Sequence, residues 1–164
     1  MSWRCSIAEM DGLALHPGMF TYKATHGDFY CGQLLVFEDE VTAIVDFSAA
    51  CVLPAVWEII RSYTIGDPEC KDGSISMRNL VEYLQLYIEK SPLQQSDIGN
   101  MLQLYHWQLL RSKYGYREYL NGTEDPEGML DFALWRTKIC RWLEKNMAEA
   151  TFELSSTLSG SLKN

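Results

Sequence analysis

The side chains whose types and spacing could carry out chemistry lie in a short segment between residues 26 and 46. His26-Gly27-Asp28 opens this segment, Gln33 follows five residues after Asp28, and Asp46 ends a later apolar run. This order is typical of kinases, in which a loop H-x-D-x-x-x-x-N supplies a base and a metal ligand. A second Asp, after the following hairpin, then binds Mg²⁺. The spacing predicts that Asp28 faces an acceptor hydroxyl while Gln33 and Asp46 hold a metal.

Asp46 also stands out on physical grounds alone. It follows Val41-Thr42-Ala43-Ile44-Val45, an apolar and β-branched run that predicts a strand. A carboxylate directly after such a run is costly to bury unless it is paired or bound to a cation. A second apolar run, residues 33–37, precedes it, and Glu38-Asp39-Glu40 separates the two runs. This pattern predicts a hairpin with a short polar turn.

The elements that must position these residues follow from hydrophobic periodicity. Residues 1–19 show no clear period, residues 20–25 alternate as a short strand, and the glycine-rich stretch 26–32 is typical of a loop. The remainder is predicted helical: from Pro54 to about Ile65, from a Ser76 cap onward, from about Ser96 to Lys113, and after a loop at 121–126.

The predicted helices indicate a bundle. The third is apolar nearly all round, which favours a central position, and the last has Phe132, Trp135, Ile139 and Trp142 on its buried stripe. The serine-rich residues 154–164 are predicted to be a flexible tail. The fold class predicted from these elements is α+β, mainly α, with a loop and a β-hairpin packed on a helical bundle.

Length and charge exclude several classes of protein. The chain has 164 residues, about one domain, and 22 acidic residues against 14 basic ones, for a net charge of −8. Nucleic-acid binders present basic surfaces, so this class is disfavoured, and no apolar run is long enough for a membrane span. A signal peptide is not indicated. The five cysteines form no C-x-x-C pair, which favours free thiols and a cytoplasmic location: Cys5, Cys31, Cys51, Cys70 and Cys140.

A longer stretch resembles a known family. The run THGDFYCGQLLVFEDEVTAIVDF is similar to the catalytic segment of the aminoglycoside phosphotransferase and choline kinase superfamily. VLPAVWEIIRSY resembles the next helix of that family, where a proline precedes an acidic residue, here Glu58. The match covers roughly residues 24–65 and is most similar to homoserine-kinase-like members.

The resemblance implies an ATP- and Mg²⁺-dependent kinase of small-molecule hydroxyl groups. Asp28 would be the catalytic base, His26 a structural member of the catalytic loop, and Asp46 the principal Mg²⁺ ligand. Gln33 would be the second ligand, in the position where the family usually has Asn. ATP would be the phosphoryl donor. The acceptor would be an amino alcohol, a homoserine-like metabolite or an aminoglycoside.

Three departures from the family pattern matter. Gln33 adds a methylene to the usual Asn, and Ser48 stands where acidic or tryptophan residues are common. Only 25 residues precede His26, with Lys23 as their sole lysine and no glycine-rich strand-turn-strand. The expected organisation is therefore a short leader (1–25), a kinase-like C-terminal lobe (26–153) and the tail (154–164), with the N-terminal lobe absent.

These departures keep other functions open. The first alternative is a non-catalytic truncated or pseudokinase lobe that serves as a binding or assembly module, paired with a second copy or with the missing N-terminal lobe. A weaker one is a hydrolase that uses the same carboxylates and metal. The basic residues of the last helix are expected on a solvated face, with an anion site as the alternative: Arg136, Lys138, Arg141 and Lys145.

Overall fold

The computed structural model of the chain describes residues 15–162. The predicted leader over residues 1–14, including Cys5, lies outside this range. Helices dominate and two small antiparallel strand pairs accompany them, which confirms the α+β, mainly α class. The helices are α1 (Ala55–Gly66), α2 (Met77–Lys90), α3 (Gln95–Arg111), α4 (Tyr116–Asn121) and α5 (Pro126–Leu158).

The strands form two separate antiparallel pairs. β2 (Leu34–Phe37) and β3 (Glu40–Ile44) make the predicted hairpin. Its apolar side chains are largely exposed, so the prediction that the hairpin packs on the helical bundle is wrong. β1 (Tyr22–Thr25) is the predicted first strand, and it pairs with β4 (Cys51–Pro54), which the sequence did not predict. The β1–β4 ladder joins the two ends of the segment 26–50, so it closes the candidate catalytic segment into one loop-and-hairpin unit.

The start of β1 is tied to the helical bundle by a buried carboxylate. Asp97, in the first turn of α3, accepts hydrogen bonds from the Thr21 amide at 2.7 Å and from the Thr21 hydroxyl at 2.6 Å. Asp97 also accepts from the Gln94 amide at 2.8 Å as part of a capping box. These bonds satisfy a charge that would otherwise be costly to bury.

The third helix occupies the centre of the bundle, as its pattern predicts. α3 packs against both α1 and α5, and its side chains are buried along most of its length. Full burial of such side chains contributes about 1.5–3 kcal/mol each. The central helix therefore supports α1, the helix that follows β4 and contacts the candidate catalytic segment.

The last helix differs from its prediction at the C-terminal end. α5 has 33 residues and continues through Leu158, and both Leu154 and Leu158 are fully buried. The predicted tail from residue 154 is therefore wrong up to Leu158, because the apolar stripe of α5 continues at helical spacing. Within residues 15–162, neither α5 nor any other helix combines the length and apolar character that a membrane span needs.

Two further predictions need correction. α4 lies within a stretch to which no helix was assigned, because its six residues are too few to show periodicity. Of the predicted buried stripe of α5, Ile139 is buried whereas Phe132, Trp135 and Trp142 are only half-buried. These large rings leave part of their surface toward solvent, which matters for a cavity on this face of α5.

Candidate active site

The loop that begins at His26 is held in place by a glutamate of α1. Glu58, in the first turn of α1, accepts a hydrogen bond from the Gly27 amide at 2.5 Å and from the His26 amide at 3.2 Å. Both amides belong to buried residues, which makes an unmade bond costly. The sequence pointed to Glu58 only through the family resemblance, and the structure shows that it joins the loop to α1.

Gly27 allows the loop to approach the segment after Asp46 closely. Its φ of 82° lies in the left-handed region, and a Cβ added there would overlap the backbone carbonyl oxygen of Ala49. Only glycine fits both requirements without rearrangement. The two parts of the predicted site, 26–28 and 46–49, are therefore packed backbone to backbone.

His26 links the same two parts through its side chain. Its ring is buried, and Nε2 lies 2.8 Å from the carbonyl oxygen of Val45, the residue before Asp46. A carbonyl can only accept, so Nε2 carries the proton in this contact. The ring also lies 4.5 Å from that of Phe47, centroid to centroid. This placement agrees with a structural role for His26 rather than a role at a reacting atom.

Asp28 projects from the loop toward solvent and pairs with an arginine that the sequence analysis did not identify. Its carboxylate, with the side chain 43% exposed, forms an ion pair with Arg61 of α1. The Arg61 guanidinium also donates to the carbonyl oxygen of Phe29 at 3.1 Å. Arg61 follows Glu58 by three residues, so both lie on the face of α1 toward the loop. The three-residue spacing of Glu58 and Arg61 was visible in the sequence. It could be linked to Asp28 only once the position of the loop relative to α1 was known.

Asp46 has a left-handed backbone conformation, and its carboxylate contacts the side chains of Ser48 and Gln33. Its φ and ψ of 61° and 59° are left-handed, a conformation that aspartate adopts more readily than most non-glycine residues. Its Oδ1 accepts from the Ser48 hydroxyl at 2.6 Å. Hydrogen bonds from Ser48 hold the pKa of the Asp46 carboxyl below its ordinary value, with smaller contributions from Gln33 and His26. Asp46 is thus kept ionised at the surface.

Gln33 lies beside Asp46, as the metal-ligand prediction requires. Its side chain is buried and its Nε2 is 3.4 Å from Asp46 Oδ2. Its main chain is held on both sides, because its amide donates to Tyr30 and its carbonyl accepts from Val45, each at 3.0 Å. The structure therefore brings the side chains of Gln33 and Asp46 together. The Asp28 side chain pairs with Arg61 and not with either of these two residues.

The Gln33–Asp46 pair fits one kind of metal site. Within residues 15–162, no group of three or more His, Cys, Asp or Glu side chains is positioned to hold a metal ion. Mg²⁺ commonly binds through one or two carboxylates and takes its remaining oxygens from water and substrate phosphates. Asp46 can supply the carboxylate. Gln33 would have to rotate its amide, because at present the nitrogen faces Asp46.

Comparisons of the chain with protein-family models, with curated proteins and with solved structures found no match. The geometry around the His26 loop is therefore the basis for a functional proposal. It supplies a partly exposed carboxylate paired with an arginine, and a second carboxylate beside an amide, within one loop-and-hairpin unit.

Proposed function

We propose that the chain is a kinase-like C-terminal lobe of the aminoglycoside phosphotransferase and choline kinase type. In this proposal it transfers the γ-phosphoryl group of ATP to a hydroxyl group of a small molecule. The observation that supports it is the double connection at His26. The backbone of the loop is bound to Glu58, and the ring of His26 reaches the carbonyl directly before Asp46. A base and a metal ligand placed within one connected loop-and-hairpin unit suit phosphoryl transfer, which depends on positioning and charge neutralisation.

In the proposed reaction, Asp28 accepts the proton of the acceptor hydroxyl. Arg61 engages its Oδ1, which would leave Oδ2 for the acceptor hydroxyl. A general base of this kind contributes about 10²–10⁴-fold to the rate. Asp46 and Gln33 would hold Mg²⁺, which neutralises phosphate charge when bound with ATP. His26 positions the loop and does not meet the reacting atoms.

A thermal-shift titration with ATP, with and without Mg²⁺, tests this proposal. ATP at about 100 times its dissociation constant stabilises by about 2.7 kcal/mol. At roughly 2–4 °C per kcal/mol for a chain of this size, the melting temperature rises by about 5–11 °C. Asp46→Asn is expected to remove the Mg²⁺-dependent part of this rise.

Asp72 offers a matched control for that variant. Like Asp46, it is an exposed aspartate whose carboxylate accepts from a serine two residues later, here Ser74 at 2.7 Å. Asp72→Asn should leave the Mg²⁺-dependent shift intact. A wild-type chain without any Mg²⁺-dependent shift, or an Asp46→Asn variant that keeps it, would contradict the catalytic proposal.

A second candidate function is a non-catalytic binding or assembly module. The β2–β3 hairpin favours it, because its apolar side chains are exposed on both faces, with Phe37 the most exposed at 67%. An isolated two-stranded hairpin is marginally stable, and such apolar patches mark interaction surfaces. The expected partner is a second copy or an N-terminal kinase lobe. Sedimentation of the chain as a monomer, together with a Mg²⁺-dependent ATP shift, would favour the enzyme over the module.

We also propose a cytoplasmic location. The four cysteines within residues 15–162 are free: Cys31, Cys51, Cys70 and Cys140. Reducing compartments keep thiols in this state, whereas secreted domains of this size commonly form disulfides.

A further inference from the structure

A cavity of about 710 Å³ lies on the side of α1 that faces α4 and α5. Binding sites for small molecules typically measure roughly 300–1,000 Å³, so the cavity has the size of a ligand site. Its walls come from the last turns of α1, the turn after α1, the start of α4 and one face of α5. It is separate from the Gln33–Asp46 pair, and none of its lining residues belongs to the His26 loop.

The charge of the cavity is opposite to that of the chain. Lys71, Lys138 and Arg141 line it, against a single carboxylate, Asp131. Among residues 15–162, none of these three cations has a carboxylate within ion-pair distance. The nearby Asp72 carboxylate does not line the cavity, but the charge of Lys138 contributes to lowering its pKa. On a chain with a net charge of −8, this is a local reversal of sign. It favours an anionic ligand and disfavours a cationic one.

One wall of the cavity is aromatic and already rigid. The rings of Phe132 and Trp135 are stacked with centroids 5.6 Å apart and an interplanar angle of 25°. Trp135 is held by its Nε1, which donates to the carbonyl oxygen of Cys70 at 2.7 Å. A wall fixed in this way can receive a flat or apolar group at a low cost in side-chain entropy. Because Trp135 and Lys138 are three residues apart on α5, the aromatic wall and a cation are adjacent.

The cavity also borders the partner of the candidate catalytic base. Thr64 and Ile65, which line it, follow Arg61 by three and four residues on α1. This spacing is one helical turn, a rise of about 5.4 Å. The part of α1 that lines the cavity therefore begins one helical turn after the backbone of Arg61, whose guanidinium pairs with Asp28.

We propose that this cavity binds an organic anion whose carboxylate or phosphate meets Lys71, Lys138 and Arg141, and whose apolar body lies against Trp135. We further propose that this anion is the hydroxyl acceptor, with its hydroxyl group directed past Arg61 toward Asp28. This second statement rests on the proposed phosphotransferase function, whereas the first does not. It replaces the cationic acceptors, such as aminoglycosides, that the family resemblance suggests.

The binding statement is tested without nucleotide, by following the indole N–H resonance of Trp135 in the ¹⁵N spectrum of the full chain. The probes are phenyl phosphate, phenylacetate and benzylamine, which share a ring and differ in charge. Phenyl phosphate is expected to shift the resonance, and raising NaCl to about 0.5 M should weaken its binding. If phenylacetate also shifts the resonance, a carboxylate is sufficient for binding. If only phenyl phosphate shifts it, a phosphate is required.

Variants on α5 provide the matched comparison. Lys138→Ala combined with Arg141→Ala should weaken phenyl phosphate at least about tenfold, because charge-assisted contacts are lost. Lys145→Ala is the control, since Lys145 is exposed on the same helix but does not line the cavity. Benzylamine binding as tightly as phenyl phosphate, or a double variant that binds like the wild type, would overturn the anion site.

The acceptor statement has its own readout. With ATP and Mg²⁺, 4-(hydroxymethyl)benzoate is expected to be phosphorylated faster than benzyl alcohol, which lacks the anionic group. Anion binding without this preference would overturn the acceptor assignment and leave the anion site standing. Loss of the Mg²⁺-dependent ATP shift would instead contradict the phosphotransferase proposal, and the nucleotide-free spectra would be unaffected.

Discussion

Replacing Glu58 with alanine removes the carboxylate that joins α1 to the His26 loop. The two amides that it accepts, those of His26 and Gly27, belong to buried residues and would lose their partner. His26 directly follows the β1–β4 ladder, which ends at the Thr25–Cys51 pair, so the loop starts from a strand held in place on one side. The loop would then be destabilised where it approaches Asp46.

The size of this effect follows from the two bonds. A hydrogen bond to a charged group contributes about 1.5–3 kcal/mol, so two give an upper limit of about 3–6 kcal/mol. Glu58 is only half-buried, so water compensates for part of the loss, and we expect a decrease of about 2–4 kcal/mol in the free energy of unfolding. At roughly 2–4 °C per kcal/mol, the melting temperature should fall by at least about 4 °C.

Equilibrium unfolding in urea, followed by far-UV circular dichroism, measures this change. Glu58→Gln keeps one acceptor oxygen and should be intermediate. Glu82→Ala is the control, because it removes an exposed carboxylate in an i,i+4 pair with Arg78, expected to cost about 0.3–0.5 kcal/mol. If Glu58→Ala costs no more than Glu82→Ala, the carboxylate does not hold the loop and the reasoning fails.

Three further predictions concern the site and the core. Gly27→Ala should destabilise the chain and abolish any Mg²⁺-dependent ATP shift, because its methyl group meets the Ala49 carbonyl at a positive φ; an unchanged urea midpoint would contradict this. Ser48→Ala should raise the Asp46 pKa toward its ordinary 3.8, measured by NMR titration. Since the folded pKa is depressed, the associated stability is present above 3.8 and is lost as the pH falls through the folded value. Leu154→Ala should cost about 2–5 kcal/mol in urea unfolding, whereas residues of a flexible tail would cost almost nothing.

The elements with strong local patterns could be predicted from the sequence. The apolar, β-branched runs on either side of the acidic turn indicated β2 and β3, and the apolar spacing after Ser76 indicated α2. β4 was missed because Pro54 is typical of a helix start, yet it ends a strand and precedes α1. A strand of four residues is too short to show a period of its own. β4 is stabilised by its partner β1, and the paired residues Tyr22 and Pro54 are 32 positions apart in the sequence.

The site was also predictable only where its residues are close in sequence. The spacing of Gln33 and Asp46 indicated that a hairpin would bring them together, and their side chains lie 3.4 Å apart. The pairing of Asp28 with Arg61 was missed, because it joins a loop to a helix that the sequence separates by 33 positions. Metal binding and phosphoryl transfer at these residues remain predictions.

By itself, the sequence determined the helical periodicity, the hairpin and the residues with chemical potential, since these depend on neighbours within a few positions. Only the tertiary structure decided which of those residues meet. Glu58 reaches back to the His26 loop, Leu154 is buried in the core, and a basic cavity forms on an acidic chain. Each of these results from long-range packing, in which burial and unpaired hydrogen bonds carry free energies that no local pattern contains.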